Sequence, residues 1–104
     1  MNSNPNLTPI DLLSKGSDNA ISMERLSGLT GFTTREVRQS ILSARLSGFL
    51  ICSNTNGYFI PETETEIIDW YHTMMLRVKT TLKILKHYES YISDEYKEEP
   101  YDRD

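Results

Sequence analysis

Residues 33–45 read TTREVRQSILSAR, a run whose polar side chains carry the chemistry needed to read a duplex. The forked guanidinium of arginine matches O6 and N7 of guanine, or a phosphate; the glutamine amide matches adenine; threonine hydroxyls at a helix start suit phosphate oxygens. Thr33, Thr34, Arg35, Arg38 and Gln39 are therefore candidate contacts to DNA, with Arg45 further along the same stretch. The same residue types also suit the solvated side of any amphipathic helix.

Other stretches offer less. The segment SNTNG at residues 53–57 presents Asn54 and Asn56, which can hydrogen-bond to a phosphate or the minor groove but bring no positive charge. Arg77, Lys79, Lys83, Lys86 and His87 follow one another with no acid between them, a pattern better read as the solvated side of a long helix than as a phosphate track. Cys52 stands alone, which excludes an internal disulfide and fits a core position in a strand. His72 and His87 lie fifteen residues apart without a partner at metal-ligand spacing, so no metal is expected. Glu62, Glu64, Glu66 and Asp69 suit the positive end of a helix. The sequence contains neither a phosphate-binding glycine loop nor a nucleophile motif, and the expectation is a non-enzyme without catalytic residues or cofactor.

The elements that would position these residues follow from capping and periodicity. Thr8-Pro9 starts a short helix through Ile10, Leu12 and Leu13, and Gly16 suits a left-handed position at its end. Ala20-Ile21 suits a very short strand. Ser22 caps a second helix, about 23–29, with Met23, Leu26 and Leu29 on one face. Thr33 with Glu36 forms a capping box that opens a third helix over 34–47, whose Val37, Ile41 and Ala44 face a core. A hairpin follows, with strands at 50–53 and 58–60 and Asn56-Gly57 supplying a turn of positive φ. A second capping box, Thr63 with Glu66, opens a long helix over 64–92, roughly 43 Å at 1.5 Å per residue. Its Ile67, Tyr71, Met74, Val78, Thr81, Leu85, Tyr88 and Ile92 are spaced alternately four and three apart, a heptad-like seam. A small domain can cover only the first turns of such a seam. The remainder predicts a homodimer paired through Met74, Val78, Leu82, Leu85 and Tyr88.

Charge is distributed unevenly. The formal net charge is −4, yet residues 1–60 hold five Lys/Arg against four Asp/Glu, and residues 61–104 hold six against eleven. The acidity belongs to the C-terminal part, and without a local basic face or a second copy such a chain binds DNA only modestly. The polar start MNSNPNLTP shows no leader, and no apolar run approaches a membrane span. With a single cysteine, these features predict a cytoplasmic protein without a membrane partner.

The order helix, short strand, helix, turn, helix, hairpin is that of a winged helix-turn-helix. The run ISMERLSGLTGFTTREVRQSILSARLSGFLICSNTNGYFIP, residues 21–61, resembles small winged helix-turn-helix proteins encoded by phages and prophages of Gram-positive bacteria. TTREVRQSI at the helix start, SGFLICS leading into the hairpin and GYFIP closing it carry the resemblance, and a helix after the wing matches residues 64 onward. The similarity covers about 40 residues well and the rest loosely. It implies a mainly α fold with a small β-hairpin and duplex DNA as partner. On this reading the chain divides into a disordered start (1–8), a winged-helix domain (9–62), a long C-terminal helix (63–93) and an acidic disordered tail (94–104). The expected role is transcriptional regulation, or an accessory function in replication or recombination. The rival is a protein-interaction module: Leu42 and Leu46 lie away from the core stripe and could seat a protein partner, such as a host machine that the chain inhibits.

Overall fold

A computed structural model describes residues 7–96; the expectations for residues 1–6 and 97–104 lie outside the described part. The protein is mainly helical with one small antiparallel hairpin and a long C-terminal helix. It divides into two compact units, one ending at Trp70 and the other beginning at Tyr71.

In the first unit, Pro9–Leu12 forms a 3-10 turn rather than the expected helix. Asp11 holds its start, accepting hydrogen bonds from the Thr8 N–H (2.9 Å) and hydroxyl (3.0 Å). These bonds, that of the Thr8 N–H first, hold the Asp11 carboxyl below its ordinary range. Four residues cannot form a lasting α-helix, and the segment instead delivers Leu13 to the core. Gly16 has the positive φ expected of it, but with ψ 141° it is extended rather than left-handed helical.

Helix α1 spans Met23–Thr30 and α2 spans Thr34–Leu46. Ser22 caps α1 as predicted, its hydroxyl accepting from the Arg25 N–H at 3.1 Å. The buried line of α1 differs from expectation: Leu26 and Thr30 are buried, whereas Leu29 is exposed. Residues 23, 26 and 30 follow the helical repeat, and Leu29 stands about 100° away from Thr30. Thr30 satisfies its hydroxyl locally, donating to the Leu26 carbonyl at 2.6 Å and accepting from the Phe32 N–H at 3.2 Å. With Gly31 left-handed at φ 81°, these bonds fix the turn that aims α2.

Val37 and Ile41 are fully buried, and Ala44 packs against them, so the expected core stripe of α2 is present. Leu13, Leu26 and Ile51 complete the cluster. The hairpin consists of β1 (Cys52–Asn54) and β2 (Gly57–Phe59), paired Cys52 to Phe59 and Asn54 to Gly57. It is shorter than predicted and begins later: Leu50 is exposed and precedes the pairing.

The turn also differs. Among the described residues only glycines have positive φ, so Asn56 does not share the turn conformation of Gly57. Thr55 and Asn56 form the loop, and the Asn54 side chain shapes it, accepting from the N–H groups of Asn56 (2.8 Å) and Gly57 (3.2 Å). Ala20-Ile21 supplies a bridge, not a strand: Ile21 exchanges both backbone hydrogen bonds with Tyr58 at 2.9 Å. Ile60 is gripped in turn by Ser14 and Gly16, also at 2.9 Å. Two separate bridges thereby do the work of a third strand, which a lone hairpin needs.

Helix α3 spans Glu64–Glu89. It stops three residues before its expected end, where the Ser90 hydroxyl donates to the His87 carbonyl at 2.9 Å and Tyr91 turns back to Tyr88 at 2.9 Å. Ile92 therefore lies beyond the seam, and Asp94–Tyr96, expected to be disordered, forms a 3-10 turn. The capping box at Thr63 is half formed. The Thr63 hydroxyl accepts from the Glu66 N–H at 3.2 Å, but the Glu66 carboxylate accepts from Glu62 N–H (2.7 Å) and Ser17 N–H (2.8 Å) instead of Thr63. Through that carboxylate and Trp70, the first turns of α3 are tied to the first unit, which runs to Trp70.

These bonds, that of the Glu62 N–H first, favour the charged form of Glu66 and hold its carboxyl below the usual 4.5. The stabilisation is complete above about pH 4.5 and is lost as pH falls through the lowered folded-state value. Glu66→Gln is expected to lower the unfolding midpoint at neutral pH and to flatten the acid limb of a midpoint-against-pH curve. A variant curve that parallels the wild-type acid limb would remove Glu66 as its cause.

Candidate functional site

The N-terminal half of α2 presents the predicted contacts. The capping box forms as expected: the Thr33 hydroxyl accepts from the Glu36 N–H at 3.1 Å, and the Glu36 carboxylate accepts from the Thr33 N–H at 2.9 Å. Thr33 keeps its O–H as a donor for a phosphate, but Glu36 brings an anion to the positive end of the helix. The phosphate-binding capacity of that end is thereby reduced. Thr34 is half-buried; Arg35, Arg38 and Gln39 are exposed. With Val37 and Ile41 anchored in the core, the backbone under these three side chains is held firmly.

Leu42 and Leu46, 57% and 79% exposed, extend the line of Arg35 and Gln39 at i, i+4, i+7 and i+11. In the sequence these leucines stand apart from the core stripe, and the same spacing joins them to the polar contacts. The outer face of α2 is thus mixed: two guanidiniums and an amide toward its start, apolar side chains toward its end.

Arg45 has a different place. It is half-buried, its Nε donates to the Ile51 carbonyl at 3.0 Å, and its guanidinium lies 4.5 Å from the Trp70 ring centre and 5.8 Å from that of Tyr58. Stacking on two aromatic rings holds this cation against the hairpin. The Trp70 Nε1–H donates to the Ser53 hydroxyl at 3.3 Å, which joins the first turns of α3 to β1. Arg45 therefore serves packing within the first unit, apart from the exposed residues of α2. Trp70 was not singled out from the sequence, because its partners lie far away along the chain.

At the hairpin tip, Asn56 is exposed, whereas the side chain of Asn54 is occupied: Oδ1 shapes the turn and Nδ2 donates to the Ser17 carbonyl at 3.2 Å. An open depression of about 260 Å³ runs between this tip and the start of α1, lined by Ser22, Glu24, Asn54, Thr55 and Asn56. Cys52 is buried as expected, and that burial pushes its thiol up, which disfavours the reactive thiolate. Of the seam residues in the second unit, Val78, Leu82, Leu85 and Tyr88 are exposed and Met74 is half-buried. No helix among the described residues is long and apolar enough to cross a membrane.

The site can thus offer hydrogen-bond donors on a rigid convex helix, chemistry that suits a surface or groove. No protein-family model, curated protein or solved structure matches this chain.

Proposed function

We propose that the chain is a winged helix-turn-helix protein that binds duplex DNA, with α1 and α2 as the helix-turn-helix, α2 in the major groove and the β1–β2 hairpin as wing. One observation carries this reading: Arg35, Arg38 and Gln39 stand exposed together on the first half of a helix whose opposite side is locked into the core. A recognition helix makes its base contacts from its N-terminal part. Arg38 and Gln39 are assigned to bases, Arg35 to base and phosphate, Thr33 and Thr34 to phosphate. Leu42 fits the same surface as an apolar neighbour for a thymine methyl group. The wing contributes Asn56 and little electrostatic pull.

The phage or prophage origin, and the regulatory or accessory role in transcription, replication or recombination, rest on the resemblance of residues 21–61 and belong to the same proposal. A cytoplasmic location follows from that role.

A second reading has its own observation. The exposure of Leu42 and Leu46, with a net charge of −4, suits a module that engages a protein partner through the end of α2. Titration of a labelled random duplex against the chain at rising salt separates the two. Binding at low salt that weakens steeply with salt, by about one power of salt per phosphate contact, supports DNA; no binding at low salt supports the module.

A further inference from the structure

We infer that α3 from Tyr71 to Tyr88 is an interface with α3 of a second copy of this chain. The inference stands apart from the DNA reading, since it uses only the second unit. At about 100° per residue, Tyr71, Met74, Val78, Leu82, Leu85 and Tyr88 fall within one arc roughly 120° wide. His72, Lys79, Thr80 and Lys83 lie on the opposite side, interrupted there by the exposed Leu76 and Ile84, and no acid occurs between Trp70 and Tyr88. An amphipathic helix of this kind leaves its apolar side in water only at a cost.

Spacing and area together name the occupant. Residues 71, 74, 78, 81, 85 and 88 alternate steps of three and four, the repeat of a helix that packs lengthwise on another helix. Tyr71, Val78, Leu82, Leu85 and Tyr88 are each between 44% and 64% exposed. Taking about 200 Å² per large side chain, these five offer roughly 500–600 Å² per copy before Met74 is counted, against the roughly 600–800 Å² per partner of a specific pair. A lipid surface is the other partner such a helix can suit. The acids that flank the arc, Glu62, Glu64, Glu66 and Asp69 before it and Glu89, Asp94 and Glu95 after it, are repelled by anionic headgroups, whereas Arg77, Lys79, Lys83 and Lys86 between them are attracted. The lengthwise spacing and the area, not charge, therefore name a second copy as the occupant.

Thr80 and Thr81 give the test its resolution, because Thr81 lies within the arc, between Met74 and Tyr88, and Thr80 on the far side. In sedimentation equilibrium the 12.0 kDa chain is expected at twice its mass at micromolar concentration. Val78→Glu with Leu85→Glu is expected to run as a monomer that keeps the Trp70 emission of wild type. Thr81→Leu should tighten association about tenfold by replacing a polar group in the seam, whereas Thr80→Leu should leave it unchanged. A monomeric wild type at high micromolar concentration overturns the inference, as does an assembly larger than two copies. Equal responses of Thr80→Leu and Thr81→Leu also overturn it. So does a wild type that is monomeric in buffer yet binds vesicles of phosphatidylglycerol and phosphatidylcholine.

Discussion

Arg38→Ala is expected to weaken binding to a selected duplex site by roughly ten- to a hundredfold, since a bidentate contact to guanine is worth about 1–3 kcal/mol. The side chain is exposed on the first half of α2, so its loss should leave the unfolding midpoint where it was. Two controls sharpen the result. Arg45→Ala should act oppositely, lowering stability through the lost hydrogen bond to Ile51 and the lost stacking on Trp70, while the folded fraction keeps its affinity. Arg77→Ala, on α3, should reduce binding slightly and equally for every sequence, as loss of a phosphate contact would. Fluorescence anisotropy on the selected site and on a scrambled one separates these cases. If Arg38→Ala and Gln39→Ala both bind the selected site like wild type, α2 is not the reading element and the protein-partner reading gains.

Gly57→Ala is expected to damage the first unit severely. Gly57 has φ 136°, a conformation that side chains rarely tolerate, and an added Cβ would press into the Ile21 carbonyl and the Ser22 nitrogen. Relief requires Ile21 to move away from Tyr58, which breaks the paired backbone bonds that complete the sheet. A loss above about 3 kcal/mol is expected, out of the roughly 5–15 kcal/mol that holds a typical domain. Urea denaturation measures it. A midpoint within error of wild type would mean that the hairpin and the Ile21 segment can separate without harm.

What the sequence disclosed and what it concealed divide by distance along the chain. The caps at Ser22 and Thr33, the Val37–Ile41–Ala44 stripe and the buried Cys52 were all legible, because each depends on neighbours within about one turn or on plain hydropathy. The rest was concealed where a local signal had two uses. Asn54, with its side chain able to cap a turn, displaced Asn56-Gly57 as the device that closes the hairpin. Glu66 sat at capping-box spacing from Thr63 but turned toward Glu62 and Ser17. Arg45 matched the candidate contacts by type, and only the folded chain brings Trp70 and Tyr58 to its guanidinium. Ser17 and Glu66 are 49 positions apart, and no periodicity or cap joins residues at that range.

Trp70 is the sole tryptophan, and it ends the first unit with its indole bonded to Ser53 and stacked against Arg45. Its emission is therefore an intrinsic optical label for one half of the molecule. A nearby guanidinium and an ordered hydroxyl set its wavelength while the hairpin stays docked, and water takes their place when it leaves. Circular dichroism at 222 nm, by contrast, draws heavily on the 26 residues of α3. Where the two signals lose amplitude at different denaturant concentrations, the chain melts in stages, and a single free energy of unfolding describes neither half.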